Sequence, residues 1–263
     1  MTPAAGAPSS LHAARLRAGH ALLCGHRGAS ATHPENTVAA VVAALETGCA
    51  AVEVDVHVTA DGGLAVIHDA SVDRTTDGSG PVAAMTAAEV VALDAGSWRS
   101  PRFAGTRVPL LADVLAACGD RAMLMVELKH DFDARPDAAA LVVAEIERCG
   151  SMDRTALLAF DHRHLEVAAG AAAGVARVAL CGSLPEDPAT LVATLGAAAL
   201  GPPARLVDGP LCDAVHAVGG LVVAWTVDDP AVALELARAG VDVVVSNDPA
   251  AVGPALRSAS PRG

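Results

Sequence analysis

Two histidines stand on either side of a pair of carboxylates in the first third of the chain. The segments are His26-Arg27-Gly28, Glu53-Val54-Asp55 and His68-Asp69. Histidine titrates near neutrality, so two of them offer a proton acceptor and a proton donor. Carboxylates are hard oxygen ligands suited to Mg²⁺ or Ca²⁺. Arginine presents a planar fork that matches a phosphate. A further carboxylate arrives in Glu127-Leu128-Lys129, and Lys129 is the only lysine in the protein. These are the parts from which metal-assisted cleavage of a phosphodiester could be built.

The elements that must position these groups are legible in outline. The chain has 263 residues, the size of one large α/β domain. Short apolar runs at about 21–25, 50–57, 122–128, 155–160, 175–181, 204–207, 220–226 and 241–246 predict strands. Alanine-rich stretches at about 35–47, 110–118, 137–149, 162–172, 188–197, 210–218 and 230–239 predict helices between them. Gly48, Gly219 and Gly240 stand just past helix ends, where a left-handed cap is inexpensive. Eight parallel strands alternating with helices close most simply into a (β/α)8 TIM barrel. The barrel domain is expected over 20–256, with 1–19 as a loose, Ala/Pro/Ser-rich leader.

One segment breaks the alternation. Only about six residues, including Asp61-Gly62-Gly63, separate the run at 50–57 from Leu64–Ile67. A parallel crossover needs a dozen residues or more, so these two runs form a hairpin. The strand folding back brings His68 towards the level of Asp55. Residues 60–108 thus form an inserted excursion, and the barrel resumes near 110.

Chemistry in such a barrel gathers at the C-terminal ends of the strands. His26 and Arg27, Glu53 and Asp55, and Glu127 and Lys129 all fall at such ends. Residues two apart on a strand share a face, so Glu53 and Asp55 project together, as do Glu127 and Lys129. A Glu-x-Asp pair is ordinarily a solvated face. Here Val52, Val54 and Val56 occupy the other face and indicate a buried strand, where charges must be paired or coordinated. His26 alone would more often be structural, and His68-Asp69 alone is ordinary loop composition. It is their joint occurrence that is improbable by chance.

Bulk composition excludes several functions. A net charge of −12 opposes nucleic-acid binding, and with 2% aromatic residues and no tyrosine there is no platform for stacking bases. An anionic substrate would be repelled unless a cation or local arginines reversed the field at the site. The six cysteines, Cys24, Cys49, Cys118, Cys149, Cys181 and Cys212, contain no CxxC pair and read as reduced, buried small hydrophobes. The apolar stretch after Arg15 and Arg17 is interrupted at Gly25-His26-Arg27, so neither a signal peptide nor a membrane span is expected. A cytoplasmic enzyme with no integral membrane association is the expectation; no pattern speaks to the oligomeric state.

Taken together, the motifs resemble the glycerophosphodiester phosphodiesterase family. The resemblance rests on His26-Arg27-Gly28, Pro34-Glu35-Asn36-Thr37, Glu53-Val54-Asp55, His68-Asp69, Asp73-Arg74-Thr75-Thr76 and Leu93-Asp94-Ala95-Gly96-Ser97-Trp98. It extends through Phe103-Ala104-Gly105, Glu127-Leu128-Lys129, Trp225-Thr226-Val227 and Gly240-Val241-Asp242, spanning about 22 to 250. It implies a barrel enzyme with one divalent cation, Mg²⁺ or Ca²⁺, that hydrolyses a small glycerophosphodiester to sn-glycerol 3-phosphate and an alcohol. It maps His26 and His68 onto the catalytic pair and Glu53, Asp55 and Glu127 onto the metal ligands. Arg27 and Lys129 map onto phosphate contacts, and Trp225 onto an aromatic wall. His26 is favoured as base and His68 as acid.

Other segments read structurally. Thr32-x-x-Glu35 resembles a capping box at the first barrel helix. Arg74 is expected to anchor the excursion, and His162 and His164 to lie exposed at a helix start. The chain departs from the family pattern at Ala159, where serine is common, at Arg99, where an aromatic is common, at His130, and at Asn247, where aspartate is frequent. None of these is a proposed metal ligand or proton-transfer group. A lysophospholipase D-type activity on lysophospholipids is the alternative, and an exposed apolar rim around Trp98 and Phe103 would favour it. A non-catalytic barrel is the reading from another class, but no motif residue has been lost.

Overall fold

The computed structural model describes residues 10–129 and 132–258. Helix α1 (Ser10–Ala18) leads into β1 (Leu22–His26), α2 (Val38–Glu46), β2 (Ala51–Val58) and the short β3 (Leu64–Val66). Helices α3 (Ala87–Val91) and α4 (Leu111–Cys118) precede β4 (Met123–Leu128). Regular alternation follows: α5 (Ala138–Arg148), β5 (Thr155–Ala159), α6 (Arg163–Ala171), β6 (Ala176–Leu180), α7 (Pro188–Leu195) and β7 (Ala199–Gly201). The chain ends with α8 (Gly209–Ala217), β8 (Leu221–Ala224), α9 (Pro230–Ala239), β9 (Val243–Ser246) and α10 (Pro249–Ser258).

Among the described residues, β1, β2 and β4 to β9 pair in parallel, and β1 pairs with both β2 and β9. The sheet therefore closes into the expected (β/α)8 barrel. Strand alternation divides the core in two. Val52, Val54, Leu124 and Val126 point outward into the apolar layer between strands and helices. Leu22, Cys24, Met125, Val178 and Val223 point inward and fill the barrel. Continuing the inward series upward along β2 and β4 places Glu53, Asp55 and Glu127 at the mouth.

Strand β2 is longer than its neighbour β1, and the excursion uses the difference. β1 pairs with β2 only up to His26 opposite Glu53. The same edge of β2 is then open from Asp55 onward, and β3 fills it antiparallel, with Val66 opposite Val56. Ile67 N donates to Asp55 O at 3.0 Å, continuing the ladder downward. The hairpin thus occupies the place above β1 and delivers His68 to the rim beside His26. A small apolar cluster that includes Ala65, Ile67, Val72, Val82 and Val90 anchors the excursion.

Four sequence expectations are corrected. The strand expected at 204–207 is a single 3-10 turn, Ala204–Leu206; the barrel strand is β7 instead. Its Ala-Leu-Gly sequence has helical composition, but Gly196 caps α7 in the left-handed region and ends the helix first. A Cβ on Gly201 would lie 2.5 Å from Leu180 Cδ2, so glycine there leaves room for that leucine side chain. Second, residues 10–18 of the expected loose leader form α1, whose Leu11 is fully buried with the inner barrel cluster, while 1–9 lie outside the described residues. Arg15 Nε bonds Asp242 Oδ1 at 3.0 Å and holds this helix to the barrel. Third, α2 is capped by Thr37, whose side chain accepts from Ala40 N, and not by Thr32. Fourth, His164 is fully buried, 5.0 Å from the Phe132 ring, and His162 Nε2 donates to Leu180 O at 2.9 Å. The expectation at His130 falls outside the described residues.

If α1 closes the lower end of the barrel, Leu11→Ala opens a cavity there and should cost about 2–5 kcal/mol. Urea denaturation would show a lower midpoint; an unchanged midpoint would mean that the helix contributes nothing to the barrel.

Candidate active site

Every residue singled out at the sequence level for the site lies at one end of the barrel. His26, Arg27, Glu53, His68, Glu127, Lys129 and Trp225 line a single cavity of about 260 Å³. Asp55 lies just beneath, fully buried.

The turn after β1 is built to aim its groups. Arg27 has φ +54° and Gly28 φ +81°, so the chain reverses within two residues. A side chain on Gly28 would collide with the backbone of Ala40 in α2. Left-handed backbone costs a non-glycine residue about 1–3 kcal/mol, and here it is over-determined by hydrogen bonds. Arg27 N donates to Glu53 Oε2 at 2.9 Å, and its guanidinium donates to Glu35 Oε1 at 2.9 Å. Arg27 Nε also lies 3.3 Å from Asp55 Oδ2.

Glu53, Asp55 and Glu127 offer three oxygens within 4.8 Å of one another, all buried. Lys129 Nζ lies 3.1 Å from Asp55 Oδ1 and 2.6 Å from Glu127 Oε1. Asn36 clamps Asp55 from the other side: its Nδ2 donates to Asp55 Oδ2 at 2.7 Å, and its Oδ1 accepts from Asp55 N at 3.1 Å. The charges do not balance. Burial, then the neighbouring Asp55 and Glu127, push Glu53 well above the carboxylate range. Burial and Asp55 push Glu127 up to about 7 against the pull of Lys129. Burial also penalises the charge on Asp55, but Lys129 and Arg27 overcome it and hold its carboxyl below the usual range. Glu53 Oε1 is buried without a hydrogen-bond donor. Three hard oxygen ligands in a site short of positive charge, with Glu53 Oε1 and Asp55 Oδ1 both buried without a hydrogen bond, fit a divalent cation.

Both imidazoles are held by Nδ1. His26 Nδ1 donates to Asn247 Oδ1 at 2.6 Å, and its Nε2 lies 3.9 Å from Glu53 Oε2. Burial and then the Arg27 charge keep His26 below the usual histidine range. His68 Nδ1 donates to Asp69 Oδ1 at 2.7 Å. His57 Nε2 donates to the His68 carbonyl at 3.0 Å and steadies the strand end. Arg74 Nε bonds Asp69 Oδ2 at 2.6 Å, while its Nη1 and Nη2 bond Glu35 at 3.0 and 2.8 Å. One chain of charges thus runs from Arg27 through Glu35, Arg74 and Asp69 to His68, tying the excursion to the loop after β1.

The opposite wall is apolar. Leu158, Phe160, Leu180, Val223, Trp225 and Val245 close it. Trp225 stacks edge-on against Phe160 with ring centroids 5.7 Å apart, and its Nε1 donates to Gly201 O at 2.8 Å. Sequence reasoning missed the contributions of Glu35, Asn36, Phe160 and Asn247. Pro34-Glu35-Asn36-Thr37 stands among the motifs of the resemblance, but nothing within that segment shows that Asn36 meets Asp55, 19 residues away.

Comparison with known proteins identifies a family and a fold. Residues 26–251 match the model of the glycerophosphoryl diester phosphodiesterase family. A glycerophosphodiester phosphodiesterase of Caldanaerobacter subterraneus is 33% identical over 232 residues, covering 87% of this chain and 94% of that protein. A phosphodiesterase of Oleispira antarctica, solved with the product sn-glycerol-3-phosphate, superposes with a TM-score of 0.86 at 28% identity, over 92% of this chain and 99% of that one. A glycerophosphodiester phosphodiesterase of Agrobacterium tumefaciens superposes at 0.80 with 31% identity, over 89% and 99%.

The raised Glu127 pKa has a pH consequence. Without a cation the folded state binds this proton more tightly than the unfolded chain, so its stabilising contribution is full below about 4.5 and is lost as pH rises through about 7. Glu127→Gln should therefore gain stability relative to the parent as pH goes from about 5 to about 8 in chelator. Adding Mg²⁺ or Ca²⁺ at pH 8 should stabilise the parent, by about 2.7 kcal/mol at a hundredfold excess over Kd, and the variant much less. Thermal unfolding of both proteins across pH checks this; parallel curves and no response to either cation would count against a metal site.

Proposed function

We infer the function from the family to which the chain belongs, the glycerophosphoryl diester phosphodiesterase family of phosphodiester hydrolases. From that premise we propose that it hydrolyses small glycerophosphodiesters to sn-glycerol 3-phosphate and an alcohol, with His26 and His68 exchanging protons across one metal-supported site. The observation that carries this reading is the convergence of two Nδ1-anchored imidazoles and three buried carboxylates on one cavity.

A divalent cation, Mg²⁺ or Ca²⁺, held by Glu53, Asp55 and Glu127 would neutralise a phosphate oxygen and orient the diester. Arg27 and Lys129 line the same cavity and supply a forked donor and a point charge to the phosphate. His26, kept below the usual histidine range, is unprotonated at neutral pH and accepts the proton of the attacking oxygen at Nε2. His68 donates to the leaving alcohol. Its partner is a carboxylate held ionised by hydrogen bonds from Arg74, a better neighbour than an amide for an imidazolium. Trp225 and Phe160 exclude water from the opposite side. The six cysteines form no disulfide among the described residues, which fits a reducing compartment and hence a cytoplasmic enzyme. Among the described residues no helix is long and apolar enough to cross a membrane.

Action on lysophospholipids is the second reading. The exposed apolar faces of Phe160 (45%) and Trp98 (39%) favour it. Against it, Phe103 is covered by the His33 ring at 5.1 Å and the Arg102 guanidinium at 4.5 Å, so the rim is not continuously apolar.

His26→Ala and His68→Ala should each lower kcat on glycerophosphocholine by about 10²–10⁴-fold with the fold intact. Release of glycerol 3-phosphate, measured with and without chelator, checks both; near-normal turnover in either variant would remove that histidine from the mechanism. Lysophosphatidylcholine assayed alongside should have the lower kcat/KM. The opposite order would make the acylated diester the substrate.

A further inference from the structure

His26 and His68 differ in what holds them. Asp69 is a carboxylate and accepts from His68 whichever way it is turned. Asn247 is an amide, and an amide can present either oxygen or nitrogen. Something must decide which end meets His26. Asp228, four residues after the end of β8, decides it. Asn247 Nδ2 donates to Asp228 Oδ2 at 2.7 Å, and Asn247 N donates to Asp228 Oδ1 at 2.7 Å. Ser246 Oγ adds a third bond to Asp228 Oδ1 at 3.0 Å. Turning the amide over would set its oxygen against the carboxylate and its NH₂ against His26, losing both bonds. Burial alone would raise the Asp228 carboxyl, but these donors hold it below its usual range and keep it an acceptor.

We propose that Asp228 and Asn247 are positioning residues that set the tautomer of His26. The locked amide oxygen, which also accepts from Ser30 Oγ at 3.0 Å, faces His26 Nδ1 as an acceptor, so the neutral imidazole carries its hydrogen there and presents the lone pair of Nε2 to the cavity. That is the form required of a group taking a proton at Nε2; the opposite tautomer would face the reacting oxygen with an N–H. The proposal rests on the role of His26 given above, and it deepens that role: the device lies on the β8 and β9 loops, on the other side of β1 from the metal carboxylates on β2 and β4. Asp228 touches neither the cavity nor His26.

The arrangement is reciprocal, which makes it testable. Asp228 and Asn247 need one donor and one acceptor between them, and exchanging them keeps both. In Asp228→Asn/Asn247→Asp, the new amide donates to the new carboxylate, which accepts from His26 Nδ1. The new amide oxygen still accepts from the backbone N at position 247 and from Ser246 Oγ. Asn247→Asp alone opposes two carboxylates at 2.7 Å, and Asp228→Asn alone turns its NH₂ towards Asn247 Nδ2, so that two donors oppose each other and the hold on the Asn247 amide is lost.

The test is ¹⁵N NMR of histidine-labelled, metal-free protein, with His26→Ala identifying the signal, together with steady-state kinetics on glycerophosphocholine. In the parent, His26 should show a protonated Nδ1 and an unprotonated Nε2. Asn247→Leu and Asp228→Asn should mix the tautomers and lower kcat by about 10²-fold, with KM altered much less. The exchanged double variant should restore the parental tautomer and recover kcat to within about tenfold, on the scale of a general-base contribution. A parent His26 protonated on Nε2 would overturn the proposal without any variant having to fold. So would single variants that keep both tautomer and kcat, or a double variant no better than the singles. If the tautomer shifts as stated but His26→Ala remains active, the positioning stands and the assignment of His26 as base falls.

Discussion

Three carboxylates directed into the dry mouth of a barrel repel one another, and most of the local structure answers that repulsion. Water cannot screen groups that are almost fully buried, so their like charges act at low dielectric. Arg27 accepts a left-handed backbone to bring its N–H onto Glu53 and its guanidinium onto Asp55. The only lysine of the chain lies between Asp55 and Glu127. Asn36, also left-handed, spends both ends of its amide on Asp55. Even so, two of the three carboxyls remain displaced towards the protonated form. The deficit is one of positive charge, and it explains how a chain of net charge −12 can present an anion-accepting site once a cation is bound.

The same constraint explains the asymmetry of the cavity. The charged residues come from β1, β2 and β4, which are consecutive around the barrel, together with the β3 hairpin on their edge. The remaining strands contribute leucine, valine and the Phe160–Trp225 pair. Segregating charge on one side keeps each carboxylate within reach of a cation. It also leaves the other wall free to exclude water.

Two networks hold the histidines, and each spans elements far apart in sequence. Glu35 and Arg74 join the loop after β1 to the excursion and fix Asp69 beneath His68. Asp228 and Asn247 join the ends of β8 and β9 and fix His26. The excursion is thus a working part of the rim, clamped by charge to the barrel whose mouth it helps form.

Local sequence by itself determined the catalogue of reactive groups, the alternation of strand and helix, and the hairpin. These follow from period-two alternation, from Asp-Gly-Gly turn composition, and from the impossibility of a parallel crossover in six residues. Sequence failed where composition and context disagree. The Ala-Leu-Gly strand β7 gives no strand signal of its own, and its identity comes from pairing with β6 and β8. His164, polar and near a helix start, is buried beside Phe132. Only the tertiary structure decided which oxygen each side chain meets. Whether Glu35 caps a helix or binds two arginines, and which end of Asn247 faces His26, depends on residues 39 and 19 positions away in sequence respectively. The physical reason is that hydrogen-bond direction and buried charge are set by three-dimensional neighbours, whereas periodicity and turn chemistry are set by adjacent residues.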